Sequence, residues 1–218
     1  MTKHEFDIEK PKNLQEEWPG QYEVFSWLEY VVNIPYPIFI ITTYKANRKA
    51  NANLWSWGFF AGEENGFYSL IALTDTTHTY ENIKRTKEWC INIPSLDFKE
   101  ECFKTIEHNQ VDDDEIAQAG FTEESSVCVH APRIKECPIS LECKFNWEKS
   151  LFKNSSQKII CGKIVHFGVD EKVVNLDQKA RIEKLKIMYN FRSQLNPLTG
   201  ELTSGGVSII IDKSAFSN

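Results

Sequence analysis

From residue 37 onward the chain sets short apolar, β-branched runs between polar turns, a spacing that predicts strands rather than long helices. Pro37-Ile-Phe-Ile-Ile-Thr-Thr43 reads as a buried strand, and Gly66-Phe-Tyr-Ser-Leu-Ile-Ala-Leu73 reads the same way. Trp89-Cys-Ile-Asn-Ile93 stops at Pro94, which has no N–H to continue a ladder. Ile139-Ser-Leu-Glu-Cys-Lys-Phe145 alternates strictly, the pattern of a strand with one wet face. Lys158 to Phe167 follows the turn-forming Asn154-Ser155-Ser156, and Gly162 within it predicts a bulge or a sharp bend.

Helical patterns are fewer. Thr79 to Thr86 reads as a helix with Thr79 at its start and Asn82 three residues on, a partial capping box. Ser95 is placed to cap a second helix through Phe98, Cys102 and Ile106. Asp112 to Ala119 reads as a third, closed by Gly120 at its C′ position. Residues 1–30 are polar and broken by Pro11 and Pro19-Gly20, an N-terminal extension. From about 196 to 218 runs a tail with turn clusters at Asn196–Gly200 and Ser204–Gly206, and Val207–Ile211 reads as a last strand. The pattern predicts a single domain over 1–218, mainly β with short helices, arranged as an antiparallel barrel with helical insertions.

Composition narrows the function classes. Twenty-five Lys and Arg stand against 31 Asp and Glu, a formal charge of −6, with no basic tract, which argues against nucleic acid as partner. The longest apolar run, Ile34 to Ile41, is broken by two prolines and is far shorter than the ~20 residues of a membrane span. The first ten residues have no apolar core of a signal peptide, so no membrane is expected and a cytoplasmic location is. The six cysteines include no C-x-x-C pair and read as reduced, small hydrophobes; no metal site is expected.

No hydrolase signature, zinc-helix histidine pair or Gly-rich dinucleotide fingerprint is present, so no catalytic residue is assigned. Two segments carry candidate binding chemistry. Asn51-Ala-Asn-Leu-Trp-Ser-Trp57 mixes amide, hydroxyl and indole groups without a charge, the lining a planar, hydrogen-bonding heteroaromatic ligand needs. The alternative is that Trp55 and Trp57 simply fill a core. Thr74-Asp-Thr-Thr-His-Thr-Tyr80 places hydroxyls and His78 beside a helix N-terminus, which suits a phosphate. Its alternative is a threonine-rich turn that caps its own helix.

Taken in order, these segments resemble the flavin reductase-like family, an FMN-binding split β-barrel that includes flavoredoxin. The likeness spans roughly Tyr36 to Gly200. It begins with Pro37-x-x-x-x-Thr42-Thr43, then Asn51 with Ser56 five residues on, then His78-Thr79-Tyr80 entering Asn82-Ile83. Asn92-Ile-Pro-Ser95, Asp114-Glu-Ile116, Gly120-Phe-Thr122, Ala131-Pro-Arg-Ile-Lys-Glu136 with Leu141-Glu-Cys143, and Cys161-Gly-Lys-Ile-Val165 follow.

The resemblance implies bound FMN. Asn51, Asn53, Leu54, Trp55, Ser56 and Trp57 would line the isoalloxazine; Thr76, Thr77, His78 and Thr79 would hold the phosphate; Thr42 and Thr43 would approach the ribityl chain. It also implies a homodimer, with flavin and nicotinamide as small-molecule partners and electrons passing from NADH or NADPH through flavin to an acceptor. That makes the chain a flavin reductase or flavoredoxin-like carrier; the alternative is a non-enzymatic split-barrel dimer that has lost flavin or nicotinamide use. Three positions depart from the family pattern: Gln157-Lys158 replaces an Asp-His pair, Thr77 replaces an Arg, and Lys179-Ala-Arg-Ile-Glu183 replaces a Gly-Arg-Tyr-Gly-like stretch.

Overall fold

The computed structural model describes residues 1–32, 34–192 and 195–203, and the backbone alone at 208–209. In chain order its helices are α1 (Gln21–Val24), α2 (His78–Thr86), α3 (Lys99–Lys104), α4 (Glu115–Ala119), α5 (Glu171–Val174) and α6 (Gln178–Leu185). The strands are β1 (Tyr36–Pro37), β2 (Phe39–Tyr44), β3 (Ala50–Trp55), β4 (Gly58–Glu63), β5 (Gly66–Thr74) and β6 (Glu88–Ile93). They continue with β7 (Glu123–Glu124), β8 (Arg133–Ile134), β9 (Ile139–Ser150), β10 (Gln157–Val169), β11 (Tyr189–Asn190) and β12 (Ser208–Ile209). Short helices between strands match the mainly β expectation.

Contacts divide the chain into two compact units: Met1–Tyr36 with Tyr189–Ile209, and a larger one whose described residues are Pro37–Met188. The first is built on Trp27, Tyr30 and Leu195, packed against by Leu14, Tyr22 and Leu28. Arg192 is buried in it and pairs with Glu29 at 3.1 Å. The segment read as a polar extension therefore carries an apolar cluster of its own. Of the last strand expected over 207–211, Ser208–Ile209 pairs antiparallel with β11, while 207, 210, 211 and the turn at 204–206 lie outside the described residues.

The larger unit is a seven-stranded antiparallel sheet in the order β3-β2-β6-β9-β10-β5-β4. Its apolar run at 38–41 is continuous because the strand is covered on both sides. Phe39 and Ile41 join Ile71, Leu73, Trp89 and Ile160 in one cluster, while Ile38 and Ile40 join Ala52, Ile116 and Ile134 in another. This is the two-sided burial that removes period-two alternation from a central strand.

β9 departs from the expected single wet face. Ser140 and Glu142, which the alternation assigns to water, are buried. Arg133 pairs with Glu142, which also accepts the N–H groups of Val127 and Cys128. Burial pushes the Glu142 carboxyl up, but the two N–H groups and the Arg133 charge outweigh it and hold the group below the usual carboxylate range. Only from Lys144 onward does β9 face water.

Of the bulge or bend expected at Gly162, the structure shows the bulge: the β9–β10 register shifts between Cys161 and Gly162. The Trp89 ring occupies the space where a Cβ on Gly162 would stand. α2 begins at His78, with Thr77 as its N-cap accepting the Tyr80 N–H at 3.2 Å, so the cap lies two residues before the expected Thr79. The helix expected after Ser95 splits into a 3₁₀ turn, Leu96–Phe98, and α3; the next shortens to α4, capped by Asp114 and closed by Gly120 at φ 88°. All six cysteines are reduced, and burial pushes the Cys90 and Cys102 thiols up to about 12. No helix among the described residues is long and apolar enough to cross a membrane.

Candidate functional site

β3 carries no β-branched residue, yet its period-two alternation sorts small apolar groups from amides. Ala50, Ala52 and Leu54 turn to the core cluster that contains Ile40 and Ile116. Asn51, Asn53 and Trp55 alternate onto the opposite face, and together with Ala52 they line a cavity of about 180 Å³. The same cavity is lined by Thr77, His78 and Thr79 at the start of α2. The amide-rich strand and the threonine-rich turn thus face one space.

They are also bonded to each other. Asn51 Nδ2 donates to Thr79 Oγ1 at 3.0 Å and Asn53 Nδ2 donates to the same oxygen at 3.4 Å. A hydroxyl has two acceptor positions and one proton, so Thr79 keeps its O–H to offer. Tyr80 N–H and Glu81 N–H are taken by the side chain and carbonyl of Thr77, leaving the His78 and Thr79 N–H groups as the free donors of the helix start. The partial positive charge of a helix N-terminus is concentrated there. His78 Nδ1 is shielded from water and has no partner within the chain. With a proton on Nδ1 the imidazole adds a third donor to these N–H groups, an arrangement suited to an oxyanion.

Trp55 presents its ring, since its Nε1 donates to the Ala72 carbonyl at 2.8 Å, and Trp57 packs on it with centroids 4.6 Å apart. The remaining sequence candidates do not line this cavity. Thr42 and Thr43 are fully buried; Thr42 donates to the Pro132 carbonyl, and Thr43 accepts from Asn82 Nδ2 at 3.1 Å. Leu54 packs on the core, Ser56 is buried, and Thr76 is exposed.

The far wall comes from residues that no local pattern marks: Thr105, Ile106 and Asn109 after α3, and Glu115 at the start of α4. Glu115 is buried; its Oε2 accepts the Ala52 N–H at 2.6 Å and its Oε1 lies 2.7 Å from Lys45 Nζ. Lys45 Nζ also donates to the carbonyls of Gln110 and Asp113, at 2.7 and 3.0 Å. Burial pushes the Glu115 carboxyl up, and the bonds from Lys45 and Ala52 oppose that without cancelling it. Among the described residues no group of His, Cys, Asp and Glu side chains has a metal-binding arrangement. The site offers neutral amides, a hydroxyl, free N–H groups and an aromatic wall, with the Glu115 carboxyl on its far side paired to Lys45, chemistry suited to holding a polar planar ligand with an anionic end.

Comparison with known proteins identifies the family and the fold. The family model described as flavin reductase like domain matches residues 31–196. A protein of Methanothermobacter thermautotrophicus without an assigned function is 31% identical over 106 residues, 48% of this chain and 50% of its own. The chain spans about half the length of the first curated relatives it matches. Among solved structures, nitrilotriacetate monooxygenase component B from Bacillus cereus superposes with a TM-score of 0.72 at 17% identity, over 94% of this chain and 97% of that one. A Shewanella frigidimarina protein described as having a split barrel domain gives 0.65 at 20% identity, over 80% and 90%. The fold is that split barrel.

Proposed function

The chain belongs to the flavin reductase-like family, and on that premise we propose that it binds FMN and passes electrons from NADH or NADPH to an acceptor, as a flavin reductase or flavoredoxin-like carrier. The observation that carries this reading is the joining of two sequence-distant segments into one cavity by the Asn51–Thr79 bond. Asn51 and Asn53 meet a polar ring edge, Trp55 gives a flat apolar wall, and the N–H groups of His78 and Thr79 hold the phosphate.

The residues present fit the group. An unpartnered His78 Nδ1 and free helix N–H groups match a phosphate, and amides beside an indole match a heteroaromatic ring. When bound, the isoalloxazine supplies electron transfer between a nicotinamide and the acceptor. This chain's own residues bind and orient: Thr79 keeps a proton that it can give to an anion oxygen, and the buried Lys45–Glu115 pair fixes the strand that carries the amides. The net charge of −6 gives no overall attraction to an anion, so affinity for phosphate rests on these local donors. A homodimer belongs to the same proposal.

Titrating the purified protein with FMN and following the absorption spectrum tests the reading. A protein-perturbed flavin spectrum is expected, and anaerobic bleaching by NADH or NADPH separates the reductase from a carrier loaded by another route. Absence of any bound flavin ends the proposal. Asn51→Ala and Thr79→Ala are each expected to weaken FMN binding about tenfold, the effect of losing one hydrogen bond to a charged or well-ordered partner.

A further inference from the structure

Between α3 and α4 the chain runs as a strap, residues 105–114, with no helix or strand of its own. Thr105, Ile106 and Asn109 form one wall of the site cavity, and Val111 lines a neighbouring cavity of about 260 Å³ that shares His78 with it. Residues 106–112 are exposed, Ile106 and Val111 among them, so little apolar burial pins the middle of the strap. Beyond its own turns and the two flanking helices, its hydrogen bonds among the described residues go to side chains on the turn between β2 and β3. Lys45 Nζ donates to the carbonyls of Gln110 and Asp113, and Asn47 Nδ2 donates to the Val111 carbonyl at 3.0 Å and to Asp112 Oδ1 at 3.1 Å. The other walls are held more firmly: Asn51 and Asn53 belong to a strand of the large sheet, and Thr77–Thr79 open a capped helix. At about 180 Å³ the cavity is smaller than the ~300 Å³ at which sites for drug-sized ligands begin, and the strap is the wall free to move.

We propose that residues 105–114 gate the flavin cavity and that Asn47 is the positioning residue that latches the gate, so that the latch sets how fast flavin enters and leaves. The inference rests on the flavin reading above and deepens it. None of the bonds from Lys45 and Asn47 uses a group assigned to flavin, so the same bonds hold the strap with and without the ligand. A gate of this kind raises the barrier to entry and to exit alike, because opening must precede both. Weakening it speeds both rates and leaves their ratio, the affinity, nearly unchanged. Loss of a static wall contact differs: it speeds exit alone and lowers affinity by the same factor. Lys45 holds both the strap and Glu115, whereas Asn47 is exposed and bonds only the strap and its own turn, where its Oδ1 accepts the Lys49 N–H at 3.1 Å. Asn47 is therefore the position at which the latch can be changed without disturbing the buried pair.

Stopped-flow mixing with FMN, read by flavin fluorescence, tests this on the wild type, on Asn47→Asp and on the double variant Asn47→Asp/Asp112→Asn. The first substitution keeps an acceptor for the Lys49 N–H, removes both Nδ2 donations and sets like charges against each other at Asp112. Asn47→Asp is expected to speed FMN association and dissociation each by about tenfold, with Kd changed by less than about threefold. Adding Asp112→Asn returns a donor to the pair from the other side, and both rates are expected to fall back toward those of the wild type. Unchanged rates in Asn47→Asp, or faster dissociation alone with an equal loss of affinity, overturn the gate and leave flavin binding intact. Fast rates that persist in the double variant overturn the latch at this pair. Absence of FMN binding in the wild type overturns the functional reading itself.

Discussion

Lys45→Met is expected to lower stability near neutral pH by about 3–5 kcal/mol, the cost of leaving a buried carboxylate without its cation. Glu115 is then enclosed with only the Ala52 N–H to answer it, and the carbonyls of Gln110 and Asp113 lose their shared donor. Urea denaturation of wild type and variant gives the difference. The pH dependence identifies the cause. Burial already raises the folded Glu115 carboxyl above its ordinary value of 4.5, and removing Lys45 raises it further. An acid with a raised folded pKa binds protons more readily when folded, so its contribution to stability falls as pH climbs from the ordinary value through the raised one. The Lys45→Met deficit is therefore expected to shrink as the solution is acidified through that window. Adding Glu115→Gln should restore most of the loss at neutral pH, because the amide oxygen still accepts from Ala52 and carries no charge. A deficit that stays constant with pH and persists in the double variant would assign Lys45 a packing role alone.

The second large effect is expected at Gly162. Trp89 is fully buried and its ring lies where a side chain on residue 162 would begin, with Cys143 Cβ on another side at 3.3 Å. Neither neighbour is the free end of a flexible chain. Gly162→Ala should therefore cost about 3 kcal/mol through overpacking, lowering Tm by roughly 6–12 °C for a chain of this size. Pairing it with Trp89→Phe, which removes the ring atoms nearest the new methyl, is expected to recover part of that loss. An additive double variant would show that the two positions do not compete for space.

How much of this was legible depended on whether the cause was local. The runs at 66–73 and 89–93 are dense in β-branched and aromatic residues, and both became strands within a residue or two of their expected ends. β3 and β4 went unread as strands. Ala50–Trp55 has no β-branched side chain, and Gly58–Glu63 has a glycine at each of two positions, so propensity was silent where alternation alone decided. Glu142 was read as a wet position because a lone glutamate in an alternating strand usually is one. Its partner Arg133 lies nine residues earlier and meets it only through the packing of β8 beside the sheet. The two binding segments were visible by composition, each with a bland alternative. Thr77 satisfies the bland one by capping α2, while Thr79 joins the amides. The wall formed by Thr105, Ile106, Asn109 and Glu115 has no signature, since α3 and α4 bring it to β3 only by tertiary contact.

The strand order has a kinetic consequence. Three hairpins, β2–β3, β4–β5 and β9–β10, join neighbours in sequence and close over short turns. The pairing of β5 with β10 is of another kind: Thr74 meets Gln157, 83 residues away, before that edge of the sheet exists. Loop-closure entropy must be met before such a contact gives anything back. Folding should be slow for a chain of this size, on the order of milliseconds to seconds, with hairpins formed early and the long-range seam last. The Asn51–Thr79 bond depends less on that seam, because β3 and α2 both contact β2. The ligand cradle is thus assembled from the more local half of the topology, and a ligand that binds it can begin to stabilise the chain before the final strands are joined.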